Sequence, residues 1–180
     1  MNAEQRDRLE LIPPDEDWAE AVWNYKMEFE DRGDSLDGTA CLGTAVRFSD
    51  WLAAVRDNAR IDTVRPGMVP ATTLLAVRRA DRSLVGMIDI RHTLNDYLFQ
   101  FGGHIGYSVR PGERRKGYAG EMLGLGLDVC RRLGLDRVLV TCDSENAASA
   151  KTIRSGGGVL ENRVPEGEGF TDRYWIEVRA

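Results

Sequence analysis

The stretch Val109-Arg110-Pro111-Gly112-Glu113-Arg114-Arg115-Lys116-Gly117-Tyr118-Ala119 constrains this chain most, because it delivers an apolar strand into a basic, glycine-containing turn that opens a helix. The first amides of a helix have no intrahelical partner, and their partial positive charge favours an anion there. Gly117 lets a ligand approach the backbone closely. Arg110, Arg114, Arg115 and Lys116 add positive charge, offset locally by Glu113 alone. The ordinary alternative is a solvated strand-to-helix turn. Other phosphate motifs fail on particular letters: Gly112 and Gly117 have the spacing of half a P-loop, but Tyr118-Ala119 stands where Lys and Ser or Thr are required. Gly124 and Gly126 fall inside the helix and lack the third glycine of a dinucleotide fingerprint.

A chain of 180 residues with 42% apolar side chains can bury the core of one domain, expected over residues 1–180. The net charge of −5 argues against a nucleic-acid partner, which would call for a broad basic surface. The imbalance is local. Residues 1–40 hold twelve acidic and four basic side chains, a net of −8 that suits a cationic substrate or simply a solvated, solubilising face. Cys41, Cys130 and Cys142 lack paired spacing, and no hydrophobic signal segment opens the sequence, so a reducing cytoplasm is the expected setting. No apolar run approaches a membrane span, and two His with three scattered Cys make no metal pattern.

Leu9–Ile12 reads as a short strand stopped by Pro13-Pro14. Asp15-Glu16-Asp17 then starts an acidic helix bearing Trp18, Val22, Tyr25 and Phe29 at helical spacing. Asp31–Gly43 reads as a mobile loop, and Ser49 as the cap of a helix over about 50–61. Thr73–Arg78 and Leu84–Arg91 form an antiparallel pair, followed by a strand from Phe101 to Val109. After Gly117, Ala119, Met122, Leu123, Leu127 and Cys130 share one helix face, ended by Gly134. Gly120, Gly124 and Gly126 weaken that helix, which close packing on a sheet would explain. A strand over Arg137–Asp143, a helix of about 145–155 capped by Asp143 or Ser144, and strands over Val159–Val164 and Tyr174–Val178 complete an α/β (α+β) order: a mixed sheet with helices on both faces.

Arg114-x-x-Gly117-x-Ala119, continued by Met122-Leu123, Leu133-Gly134-Leu135, the strand Arg137–Asp143 and Asn146-x-x-Ser149, resembles the acetyl-CoA-binding pattern of the GNAT superfamily of N-acetyltransferases over about residues 101–160. Arg91-His92-x-Leu94-Asn95, Gly102–Tyr107 and Gly156–Asn162 resemble more narrowly a bacterial branch known only as predicted acetyltransferases. The resemblance implies a mostly antiparallel central sheet whose central strands splay near residues 107 and 139, with the pantetheine arm in the gap. It implies acetyl-CoA as cosubstrate and transfer by direct attack of a primary amine, on a small molecule or a peptide. Backbone groups of Arg114, Arg115, Lys116, Gly117, Tyr118 and Ala119 would hold the pyrophosphate, those of Tyr107, Ser108 and Val109 the pantetheine, and Asn146 and Ser149 would line the same groove. A homodimer is compatible with this reading.

The chain departs from the family where many members carry a tyrosine acid, for Ile153 stands there, and no carboxylate lies in 101–105. A lysine-like amine with a pKa of about 10.4 is almost wholly charged at neutral pH, so a base or a water relay is useful. His104 and His92 are the candidate bases, and Tyr174 is a candidate proton donor to the leaving thiolate, each with a structural role as the alternative. Cys142 fits core packing better than nucleophilic catalysis. Loss of both family groups also leaves open a non-catalytic acyl-CoA-binding sensor.

Overall fold

The computed structural model describes residues 7–178. Seven strands, β1 (Leu9–Ile12), β2 (Ala71–Arg78), β3 (Leu84–Arg91), β4 (Ile105–Val109), β5 (Arg137–Asp143), β6 (Val159–Glu166) and β7 (Gly169–Glu177), form one sheet in the order β1-β2-β3-β4-β5-β7-β6. Every neighbouring pair is antiparallel except β4 and β5. Helices α1 (Ala19–Glu30) and α2 (Phe48–Asn58) lie on one face, α3 (Tyr118–Arg132) and α4 (Ala147–Ser155) on the other. This is the mixed, mostly antiparallel sheet with two covered faces that the resemblance implied. No helix among the described residues is long and apolar enough to cross a membrane.

Strand alternation divides the apolar residues between two cores. Leu75, Val77 and Met87 meet Val22, Tyr25, Phe29, Trp51 and Leu52 on the α1/α2 side. Ile88, Ile90, Ile105, Val138 and Val140 meet Met122, Leu123, Leu127 and Ile153 on the α3/α4 side. Fully burying one such side chain stabilises by about 1.5–3 kcal/mol, so each helix is fixed mainly by its apolar stripe. Gly126 has the reason expected of it, since a Cβ there would stand 2.6 Å from Ile88 Cδ1. Gly124 does not: nothing lies within 4 Å of its Cβ position, and with Gly120, Ser155 and Gly156 it lines a groove between α3 and α4.

Local differences have local causes. The strand expected from Phe101 starts at Ile105, because Leu98–Gly102 forms a π-helical turn whose first amide donates to Asn95 Oδ1 at 2.9 Å. Gly103 follows with φ +64°, where a Cβ would lie 2.6 Å from the Leu139 carbonyl. Ser49 lies inside α2, which begins at Phe48 after an extended Arg47. Helix α4 is capped by Asn146, not by Asp143 or Ser144; its Oδ1 accepts from the Ser149 amide at 3.0 Å. At the sheet edge, β6 is exposed over almost its whole length, and its pairing with β7 slips between Leu160 and Asn162.

Candidate active site

Strands β4 and β5 pair only where Ile105 stands opposite Val140, whereas β5 pairs with β7 along its whole length. Just before that point, the His104 amide donates to the Leu139 carbonyl at 2.7 Å, and the Leu139 amide donates to His104 Nδ1 at 2.9 Å. An imidazole therefore closes the apex of a wedge that opens toward Val109 and Asp143. Arg91 donates to the His104 carbonyl, and Arg110 to the Val85 carbonyl, so the even-numbered backbone groups of β4 face β3. By alternation, those of Tyr107 and Val109 face the wedge.

The turn that follows β4 is built for unpaired donors. Gly117, at φ +85°, is the N-cap of α3, and Arg115 is also left-handed at φ +63°. The amides of Arg115 through Gly120 have no acceptor among the described residues. The Tyr118 ring packs against the Arg8 and Arg78 guanidinium groups, which also hold the turn: Arg8 donates to the Lys116 carbonyl at 3.0 Å and Arg78 pairs with Glu113 at 2.9 Å. Buried Glu121 accepts from the amides of Arg8 and Leu9 at 2.7 and 2.8 Å and ties β1 to the start of α3. The basic side chains are less free than the sequence suggests. Lys116 pairs with Glu113, Arg110 with Glu28 at 2.9 Å, and Arg114 with Asp34 at 2.7 Å, while exposed Arg115 has no ionic partner among the described residues.

Those pairs consume part of the acidic N-terminal charge. Glu28, Glu30 and Asp34 each meet a cation of the protein itself, Lys26 being the partner of Glu30. Segment 31–43, expected to be a mobile loop, lies against β4. Ser108 Oγ donates to the Asp37 carbonyl at 2.6 Å and accepts from Tyr25 at 3.0 Å, which turns the Ser108 side chain away from the wedge's α4 side. Gly38 presses on the peptide after Gly106, where a Cβ would come within 2.1 Å of the Gly106 carbonyl oxygen. Neither contact was legible in the sequence, apart from the glycines themselves.

On the α4 side, Tyr107 reaches across the wedge and its hydroxyl lies 3.1 Å from Ser149 Oγ. Burial raises its pKa, so the phenol stays protonated. Tyr174 is fully buried, accepts from Arg154 at 2.9 Å and faces Asp172. Ile153 is buried in the α3/α4 core, and burial also raises the Cys142 thiol. Burial and then the Arg91 charge lower His104 to about 4. With Nδ1 accepting from Leu139, the neutral ring carries its proton on Nε2 and presents a donor there, not a lone pair. His92 lies away from the wedge, at the end of β3, its Nε2 2.8 Å from Thr72 Oγ1. The structure thus gathers Tyr107, Ser149, Asn146 and the turn 114–119 around one wedge, puts His104 at its apex, and leaves His92 and Tyr174 in other settings.

The family model for the acetyltransferase (GNAT) domain matches residues 8–159. No curated protein matches the chain in sequence. A ribosomal L7/L12 α-N-protein acetyltransferase in complex with coenzyme A is similar in structure, with a TM-score of 0.71 at 16% identity over 95% of this chain and 94% of the other. The ribosomal-protein-S5-alanine acetyltransferase of Vibrio fischeri gives 0.69 at 15% identity, over 94% and 91%. The microcin C7 self-immunity acetyltransferase in complex with acetyl-CoA and AMP gives 0.66 at 16% identity, over 97% and 94%. At these identities the structures speak for the fold, and the domain match over most of the length speaks for descent: the chain belongs to the GNAT family of acetyltransferases.

Proposed function

We propose that this chain, acting as one domain over residues 1–180, moves an acetyl group from acetyl-CoA to a primary amine of a small molecule or peptide. The observation that carries the reading is the meeting, at one place, of the β4–β5 wedge and a helix start with unpaired amides. An extended pantetheine can pair with the wedge-facing backbone of Tyr107 as an added strand would, while its diphosphate meets the turn 114–119. The Val109 carbonyl is already taken by Arg114 Nε at 3.1 Å, so Tyr107 has the larger share. Asn146 and Ser149 line the wedge from α4. Of the three neighbours described above, two hold coenzyme A or acetyl-CoA and two are named for ribosomal-protein substrates, which supports the cosubstrate and a peptide amine among the acceptors.

In this reading the amine nitrogen attacks the thioester carbonyl, the carbon–sulfur bond breaks, and the thiolate needs a proton. The Tyr107 hydroxyl is the best-placed donor, since it spans the wedge and hydrogen-bonds Ser149. Tyr174, enclosed by Arg154 and Asp172, is not. No side-chain base is assigned: His104 is committed to Leu139, and the amine loses its proton to water. Catalysis is then chiefly positioning and stabilisation of the developing oxyanion. The test is thiol release from acetyl-CoA in the presence of an amine panel that includes peptides with free N-termini and polyamines. Acceleration by at least one amine is expected. Tight acetyl-CoA binding without acceleration by any of them would favour the sensor reading.

A further inference from the structure

The arginine that opens the turn is turned away from it. Arg114 Nε donates to the Val109 carbonyl at 3.1 Å, Nη1 pairs with Asp34 at 2.7 Å, and the guanidinium lies 5.3 Å from the centroid of the buried Phe29 ring. Its charge is matched by a carboxylate and its planar face is covered by an aromatic ring. Asp34 is itself anchored, since its amide donates to the Phe29 carbonyl at 3.0 Å. Four residues further on, Gly38 rests on the Gly106–Tyr107 peptide, and Ser108 holds the Asp37 carbonyl. One side chain therefore joins the cofactor turn, the end of β4, α1 and the loop that covers β4 from the α1/α2 face. The face opposite α4 is where an acceptor would approach a thioester lying in the wedge.

We infer that the Arg114 side chain is a positioning residue for the acceptor side: it fixes segment 33–40 over β4, while the turn offers the cofactor its backbone amides and the unpaired Arg115. The inference rests on the cofactor reading above. It makes the turn a shared part, with its backbone directed at the diphosphate and its arginine at the loop. Cofactor binding that orders the turn then also orders the wall against which the amine docks.

The test compares Arg114→Met, Asp34→Asn, the double variant and Arg115→Met, with coenzyme A as the probe. Calorimetry gives its affinity, and amide hydrogen exchange reads the loop and the turn separately. Arg114→Met keeps the stem that packs on Phe29, so the fold should survive. Exchange across 33–40 should quicken about tenfold in Arg114→Met and in Asp34→Asn, and little further in the double variant, because the two groups form one interaction. Coenzyme A affinity should change less than about threefold in Arg114→Met and fall several-fold in Arg115→Met. A tenfold loss of affinity in Arg114→Met with unchanged loop exchange would overturn the inference and make the guanidinium a phosphate ligand. Failure of coenzyme A to protect amides 115–120 in the unsubstituted protein would sink the cofactor reading instead, and the loop data would still judge the Arg114–Asp34 tie.

Discussion

His104 carries two strands on one ring. Its Nδ1 receives the Leu139 amide and its own amide reaches the Leu139 carbonyl, so protonation of the ring would break one arm of that clasp. Its pKa of about 4 lies below the ordinary 6.5 because of burial first and the Arg91 charge second. A depressed His pKa means that the unfolded chain binds the proton first, so this contribution is complete above pH 6.5 and is lost as pH falls toward 4. A difference of this size amounts to about 3 kcal/mol. Thermal unfolding of the native protein should therefore fall more steeply from pH 6.5 to 4 than that of His104→Gln, whose amide oxygen can still accept from Leu139 without titrating. Parallel curves would show that the ring titrates normally. Tyr107 poses the complementary question of proton donation. Tyr107→Phe keeps the ring and loses the hydroxyl's contact with Ser149, worth about 1 kcal/mol of stability. If the phenol protonates the thiolate, kcat should drop about 100-fold while the acetyl-CoA KM stays within about threefold. An undiminished kcat would hand the step to Ser149 or water.

At the scale of elements, the most consequential contact joins a loop and a strand through two glycines. Gly38 has φ +68°, and a side chain there would overlap the Gly106 carbonyl, so Gly38→Ala must lift the loop or distort β4. A destabilisation of about 1–3 kcal/mol is expected, read as a Tm lowered by several degrees. An unchanged Tm would mean that the loop does not rest on β4 in solution. This contact also marks the boundary of what could be read beforehand. The strand-turn-helix at 105–132, the amphipathic α1 and the β2–β3 pair follow from local periodicity and turn chemistry, which act within a few residues. The docking of 31–43 does not, because Gly, Ser and Asp in a row look alike whether a loop is solvated or pressed on a strand 70 residues away. The tautomer of His104 was hidden for the same reason, its partner being an amide of another strand. The π-helical turn at Leu98–Gly102 left one local trace, Asn95 three residues before Leu98, which apolar continuity from Phe101 to Val109 masked.

At the scale of the whole molecule, one sheet is two sheets meeting along a seam. Strands β1–β4 on one side and β5–β7 on the other share a single bridged position, Ile105 with Val140, besides the His104 clasp. The rest of the join is made by side chains and by α3: Thr141 Oγ1 donates to the Phe101 carbonyl at 2.6 Å, Arg173 to the Phe99 carbonyl at 3.0 Å, Tyr107 meets Ser149, and the α3 stripe touches both halves. Such a seam is a line of mechanical weakness, and a protein divided in this way should open there before it unfolds globally. Hydrogen exchange of β5 and β7 should thus report an opening of lower free energy than that of β2 and β3. A cofactor laid in the wedge would act as a missing eighth strand, and saturating coenzyme A should bring the two classes of amides together. If β5 and β7 exchange no faster than β2 and β3 without ligand, the seam is as strong as a continuous ladder. If it is weak, the enzyme's empty state is less one rigid body than a pair of leaves on a spine, and its substrate completes its architecture.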